Sequence, residues 1–237
     1  MKKLILLVLT FTLLIFAGCQ NSAAGNKNAA GIEKKDYNGQ IYLYGESHGV
    51  QKLIEEEFRL WKDYYEGGMR HLFVELPYYT AEFLNIWMKE SDDKIFNSVF
   101  EDWKGTASYN QFTFEFFKNI KTECPETVFH GTDIGHQFDT AGIRYLTYLD
   151  NYNLKNSKQY EHTLEIIEQG KIYYANKHAV KRSVEREYRM VENFVYELGT
   201  IGNENIMGIY GSAHSGLNNL DNTGTIPCMA NQLNALY

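Results

Sequence analysis

The stretch Ile41-Tyr-Leu-Tyr-Gly-Glu-Ser-His-Gly-Val50 decides how the chain is read. Its first half is aromatic, aliphatic and β-branched, the composition of a buried strand. Its second half sets an acid and an imidazole two residues apart between Gly45 and Gly49. Side chains of an extended chain alternate in direction, so Glu46 and His48 point to one side and Ser47 is the spacer between them. A strand that ends in such residues feeds a crevice rather than a core.

The pattern recurs outward from this point. Residues 40–44, 71–76, 127–131 and 205–210 read as four strands. Ile54, Phe58, Trp61 and Tyr65 fall on one face of a helix that Gly67 and Gly68 terminate. Strand, helix, strand is a βαβ unit and implies a parallel pair. Residues 80–89, 94–103, 109–121 and 140–152 read as further helices, with Ser108 and Gln111 spaced as a capping box for the third. The long, charged, proline-free stretches 158–177 and 179–198 read as a helical hairpin lying across the sheet or over its edge. The expected fold is α/β: a mostly parallel sheet with helices on both faces plus that long hairpin. Such sheets bind ligands outside the carboxyl ends of their strands.

Each expected strand end carries chemistry. Glu46 and His48 follow the first. Glu75, inside the apolar run Phe73-Val-Glu-Leu-Pro77, ends the second and needs a partner, since an unpaired charge there is costly. Asp133 and His136 follow the third, and His214 follows the fourth. One such residue is more often part of a turn; four strand ends together mark a site. His71 begins a strand, and His162 and His178 lie on charged helices and are expected to be solvated. Arg182, Arg186 and Arg189 recur at helical spacing with Glu185 and Glu187 between them, and one arginine could reach an anionic group over the sheet. The chain has no GxSxG elbow, P-loop, GxGxxG or HExxH. Activated water is therefore a simpler nucleophile than Ser47, Ser212 or Ser215.

The two ends bound the biology. Lys2 and Lys3, the apolar run from Leu4 to Phe16 and Ala17-Gly-Cys19 have the form of a bacterial lipoprotein signal (residues 1–19), with Cys19 as the lipidated position. The apolar run is shorter than the roughly 20 residues that cross a bilayer. Residues 20–35, rich in Ser, Ala, Asn and Gly, read as a flexible tether, and 36–237 as one domain. The expected location is the outer face of the cell membrane, held by the lipid anchor. Of 23 basic residues, removing Lys2 and Lys3 leaves 21 against 30 acidic ones, so nucleic acid is not an expected partner. Cys124 and Cys228 could form one disulfide in an exported protein, and their number alone does not decide it.

In order along the chain, Gly45-Glu-Ser-His-Gly49, the strand-end Glu75, Arg186-Glu-Tyr-Arg-Met-Val-Glu-Asn193 and Ala213-His-Ser-Gly216 resemble the motifs of the erythromycin esterase family. The Gly-Glu-x-His skeleton also resembles the wider TraB/Tiki and ChaN-type group of proposed metalloproteases and haem-binding lipoproteins. The resemblance implies His48 as the base that activates water, with Glu46, Glu75 and His214 completing a polar centre and Arg186 supporting the pocket. Asp133 and His136 are added as substrate-binding residues from their position alone. Two functions follow as expectations. One is a hydrolase acting on an ester, lactone or amide of a small molecule or peptide, with a divalent metal on the same Glu and His residues as a variant of it. The other is a non-catalytic lipoprotein that binds haem or a metal.

Overall fold

A computed structural model describes residues 36–237. The expected signal peptide, Cys19 and the tether lie outside the described residues. Four strands, β1 (Ile41–Glu46), β2 (His71–Pro77), β3 (Val128–Asp133) and β4 (Ile206–Gly211), form one sheet in the order β1-β4-β2-β3. All three pairings are parallel, and the last strand in sequence lies inside the sheet between the first two. That order brings the carboxyl ends of β1, β4 and β2 side by side.

The strands alternate their side chains between two apolar layers. Leu72, Val74, Met207 and Ile209 face a large cluster with Trp61, Trp87, Phe96 and Phe117, built on α1 (Gln51–Glu66), α2 (Tyr78–Lys89), α3 (Lys94–Asp102) and α4 (Gln111–Glu123). Phe73, Ile206 and Tyr210 face a second cluster with Met190, Val191, Phe194 and Leu233, built on α7 (Ala179–Leu198) and α8 (Met229–Leu236). Helices thus cover both faces, as the sequence predicts. Burying a side chain the size of Phe194 contributes roughly 1.5–3 kcal/mol, so these layers carry most of the favourable free energy.

The hairpin is present as α6 (Lys158–Ala175) and α7. Gln169 and Asn193 exchange two hydrogen bonds of 3.0 Å across it, and Asn193 also donates to the carbonyl of Asp133 at 3.1 Å. Backbone meets backbone where α6 passes β3: a Cβ on Gly170 would lie 2.0 Å from the carbonyl oxygen of Gly135, so glycine is required there.

Four expectations change. The strands run on to Glu46, Asp133 and Gly211, because their polar ends stay paired. Asn110, not Ser108, caps α4 by accepting from the amide of Thr113 at 3.0 Å. The helix expected over 140–152 opens with a π-helical turn, Phe138–Gly142, before α5 (Ile143–Asn151). His162 is buried rather than solvated: it shares the inner face of α6 with Thr163, Ile166 and Ile167, and stacks on Tyr196 with ring centroids 3.9 Å apart. His178 is exposed as expected. Cys124 and Cys228 are both buried and free, so they form no disulfide. Among the described residues no helix is long and apolar enough to cross a membrane.

Candidate active site

The site begins where β1 stops. Gly49, at φ +77°, turns the chain, and the amide of Val50 donates back to the carbonyl of Ser47 at 3.2 Å. The turn folds His48 over Glu46, and its Nδ1 donates to Glu46 Oε1 at 2.8 Å. The amide of Ser212 donates to the Glu46 carbonyl at 2.8 Å, which locks this end of β1 to the end of β4.

Glu75 reaches the same place by a different device. Pairing between β2 and β3 shifts register between Val74 and Pro77, and such an irregularity re-aims a side chain at a sheet end. Its Oε2 accepts the amide of Gly211 at 2.5 Å and its Oε1 accepts Arg186 Nη2 at 2.5 Å. A Cβ on Gly211 would sit 3.2 Å from His48 Nε2 and 3.3 Å from Glu75 Oε2, so the strand end leaves its side-chain space to the site.

α7 supplies the charge that holds the centre together. Arg186 grips Asp133 with two bonds, Nε to Oδ1 at 2.9 Å and Nη2 to Oδ2 at 2.7 Å, while also holding Glu75. The next residue, Glu187, accepts from His214 Nδ1 at 2.5 Å and from the amide of Met229 at 2.7 Å. His214 Nε2 lies 3.6 Å from Glu75 Oε1 and 3.3 Å from Arg186 Nη1, and His48 Nε2 lies 3.7 Å from the same Glu75 oxygen. Two Glu–His pairs therefore face one carboxylate. His136 stands one step out, with Nε2 3.0 Å from Asp133 Oδ2 and Nδ1 2.6 Å from the Tyr174 hydroxyl.

All seven residues expected at the site, Glu46, His48, Glu75, Asp133, His136, Arg186 and His214, are brought together. Their accessibility separates them. The His48 side chain is 40% exposed, whereas Asp133 is almost wholly buried beneath Arg186. Asp133 thus positions Arg186 rather than meeting solvent. The sequence reading missed Glu187 as a site residue, although a signal was there. It shares the α7 face of Met190, Val191, Phe194 and Leu198, and a charge at a core position asks for a buried partner.

The electrostatics follow the geometry. The hydrogen bond to Glu46 first, then the nearby Glu75 carboxylate, pushes the His48 imidazole up to about 10 against the opposing effect of burial. Burial would raise Glu75, but His48 and Arg186 hold it down to about 2. Asp133 is likewise held well below the usual carboxylate range, because Arg186 and His136 outweigh its burial. Burial lowers His214, and Glu187 and Glu75 more than offset this and raise it. These directions favour charges that alternate in sign along His48, Glu75, Arg186 and Asp133.

That centre does not fit a divalent cation. Among the described residues no group of three or more His, Cys, Asp or Glu side chains could hold a metal ion. The guanidinium of Arg186 already supplies the positive charge beside Glu75 and His214. Two hollows open on His48, one of about 70 Å³ bordered by Glu46, Glu57 and Trp103, the other of about 240 Å³ bordered by His136, Tyr174 and Arg186.

Two solved structures share this architecture. One is an erythromycin esterase mutant in its open conformation, 11% identical, with a TM-score of 0.57, covering 83% of this chain and 67% of that one. The other is a Bacillus cereus protein, 14% identical, with a TM-score of 0.55, covering 84% of this chain and 63% of that one. The chain has an erythromycin esterase-like fold. It spans less than two thirds of the Bacillus cereus protein's length. No protein-family model matches the chain, and no curated protein matches it.

Proposed function

We propose that the protein is a hydrolase that adds water to the carbonyl of an ester, lactone or amide in a small molecule or peptide. The observation that supports this most is the opening of the alternating charge array through His48, its most exposed member, beside two hollows. The fold it shares with an erythromycin esterase supports the same class.

The resting charges assign the roles. A general base must be free to accept a proton, and the imidazolium of His48 is not. Glu46 spends Oε1 on His48, and its Oε2 takes the proton of the attacking water. His48 turns Nε2–H toward the carbonyl oxygen; at 3.7 Å from Glu75 that donor is not consumed by a short hydrogen bond. Charge developing on the oxygen meets the imidazolium, with Arg186 and His214 behind it. Glu75 keeps His48 protonated, and Asp133 keeps Arg186 in place.

Replacing His48 by Gln keeps a donor and removes the charge. On an ester turned over by the wild-type chain it is expected to lower kcat by roughly 10²–10⁴ with the fold retained, as read by circular dichroism. A wild-type rate in this variant would remove the assignment.

We further propose export and anchoring through Cys19, supported by the basic, apolar and small-residue order of residues 1–19. Incorporation of an alkyne-tagged fatty acid that persists in Cys19→Ser would sink that reading.

A further inference from the structure

Glu57 lies on the buried face of α1, one turn after Ile54 and one turn before Trp61, and is only 8% exposed. It borders the hollow of about 70 Å³ together with Glu46, His48 and Glu75. The other buried acids of the domain have partners: Glu75 and Asp133 have Arg186, Glu187 has His214, Glu197 has His130, and Asp221 has Thr223 and Thr225. Glu57 has none: no hydrogen bond contributes to its state, only burial and the charges of Glu46 and His48. An ionised carboxylate in that position is costly, and the hollow is the side on which a protonated one can donate.

Resting on the hydrolase reading, we propose that Glu57 is its catalytic acid, the group that protonates the departing oxygen or nitrogen of the substrate. Burial, then repulsion from Glu46, pushes Glu57 up to about 8, with His48 pulling the other way, while Glu75 in the same hollow is held down to about 2. A carboxyl group raised in this way stays protonated where its neighbours are ionised, which suits it to acid work. The charged groups facing Glu57 are Glu46 and His48 from the end of β1 and Glu75 from β2; the α3 and α4 side contributes Trp103, Thr113, Phe116 and Phe117, with no charge. At roughly 10–15 Å³ for each water, the hollow has room for a few heavy atoms around a scissile bond.

The step balances. Water oxygen bonds to the carbonyl carbon and one water proton passes to Glu46. The carbon–heteroatom bond breaks with its electron pair on the leaving atom, which takes the proton of Glu57. Glu46 then loses its proton to solvent and Glu57 regains one, so one water is consumed per turnover.

The test uses the full-length chain and two esters with one acyl group, one with a nitrophenolate leaving group that needs no acid and one with an alkoxide that does. Glu57→Gln is expected to lower kcat on the alkyl ester by about 10²–10⁴ and on the aryl ester by less than about threefold. The alkaline limb for the alkyl ester, near pH 8 in the wild type, disappears. Equal losses on both esters indicate a structural role and overturn the proposal, as does no loss on either. A wild-type chain inert toward both overturns the hydrolase reading itself. Carbon NMR of the Glu57 carboxyl in the unliganded wild-type protein stands independent of folding of the variant: a midpoint near 8 supports the proposal, and one below about 6 overturns it.

Discussion

Glu46 with His48 and Glu187 with His214 are the same pair of side chains, set against the same carboxylate from two sides. They differ in what surrounds them. The first pair stands on a turn after β1, with the His48 side chain 40% exposed; in the second the Glu187 side chain is fully buried and also accepts the amide that opens α8. The exposed pair has a free N–H to offer a substrate, whereas the buried pair has spent its groups on the fold. On the proposed function, identical chemistry separates into reaction and scaffold according to burial.

The largest expected effect tests what both pairs depend on. Arg186→Met leaves Asp133 and Glu75 buried without their cation, and breaking a buried pair in this way costs about 3–5 kcal/mol. A denaturant titration of the variant should show that loss. If stability is unchanged, the charge array is not what holds the strand ends together.

Next come the two glutamates, exchanged one at a time. Glu46→Gln is expected to lower kcat by roughly 10²–10⁴ with a smaller loss of stability than the exchange at 187, because the altered group is partly exposed and borders a hollow. Glu187→Gln is expected to lose about 1–3 kcal/mol of stability, since one acceptor for His214 or Met229 becomes a donor in a closed site. Reversal of that pattern, stability lost at 46 and rate lost at 187, would overturn the division between reaction and scaffold.

This division also shows how much was legible in the sequence. Glu46, His48, Glu75 and His214 stand at strand ends, and strand ends can be found from an apolar run stopping at glycine and a charge. Arg186, by contrast, was drawn from a row of three arginines through the motif resemblance. Glu187 and Glu57 were missed as site residues because each sits within a strongly charged helix, where one acid among several looks solvated. Only the helical phase, which sets Glu57 beside Ile54 and Trp61, marks it as buried. Protonation was hidden altogether: a histidine reads as a base in sequence, and only the placement of Glu46 and Glu75 beside it favours the cation. The short α8 left no strong periodicity, yet its first amide closes the buried pair.

A smaller effect separates the pairs by pH. The folded pKa of His48 is raised from 6.5 to about 10, so its contribution to stability is complete below about 6.5 and is lost as pH rises through about 10. Glu57, raised from 4.5 to about 8, contributes in the same sense, with loss as pH rises through about 8. Glu75, lowered from 4.5 to about 2, contributes above about 4.5 and loses that contribution as pH falls toward 2. Unfolding free energy measured against pH should therefore decline in two overlapping stages, from about 4.5 to 8 through Glu57 and from about 6.5 to 10 through His48. Glu57→Gln should remove the earlier stage and His48→Gln the later one. Activity should likewise fall, not rise, as pH passes 10; a rate still climbing there would make His48 the base and Glu46 its orienter.

The smallest expected effect lies between the members of the exposed pair. Ser47 is next to His48 in sequence, and a hydroxyl beside an imidazole invites reading as a nucleophile. Its structural work is done by its carbonyl, which takes the amide of Val50 and makes the turn, and any residue supplies a carbonyl. Attack by Ser47 would need a neutral His48 to take its proton, whereas His48 rests as an imidazolium pinned to Glu46. Ser47→Ala should therefore stay within about 0.5 kcal/mol of wild type in stability and keep its rate on the same ester. Loss of turnover here, or an acyl group trapped on Ser47 by mass spectrometry, would move the chemistry from activated water to a covalent path. The exposed pair would then serve the serine between its members rather than a water in front of them.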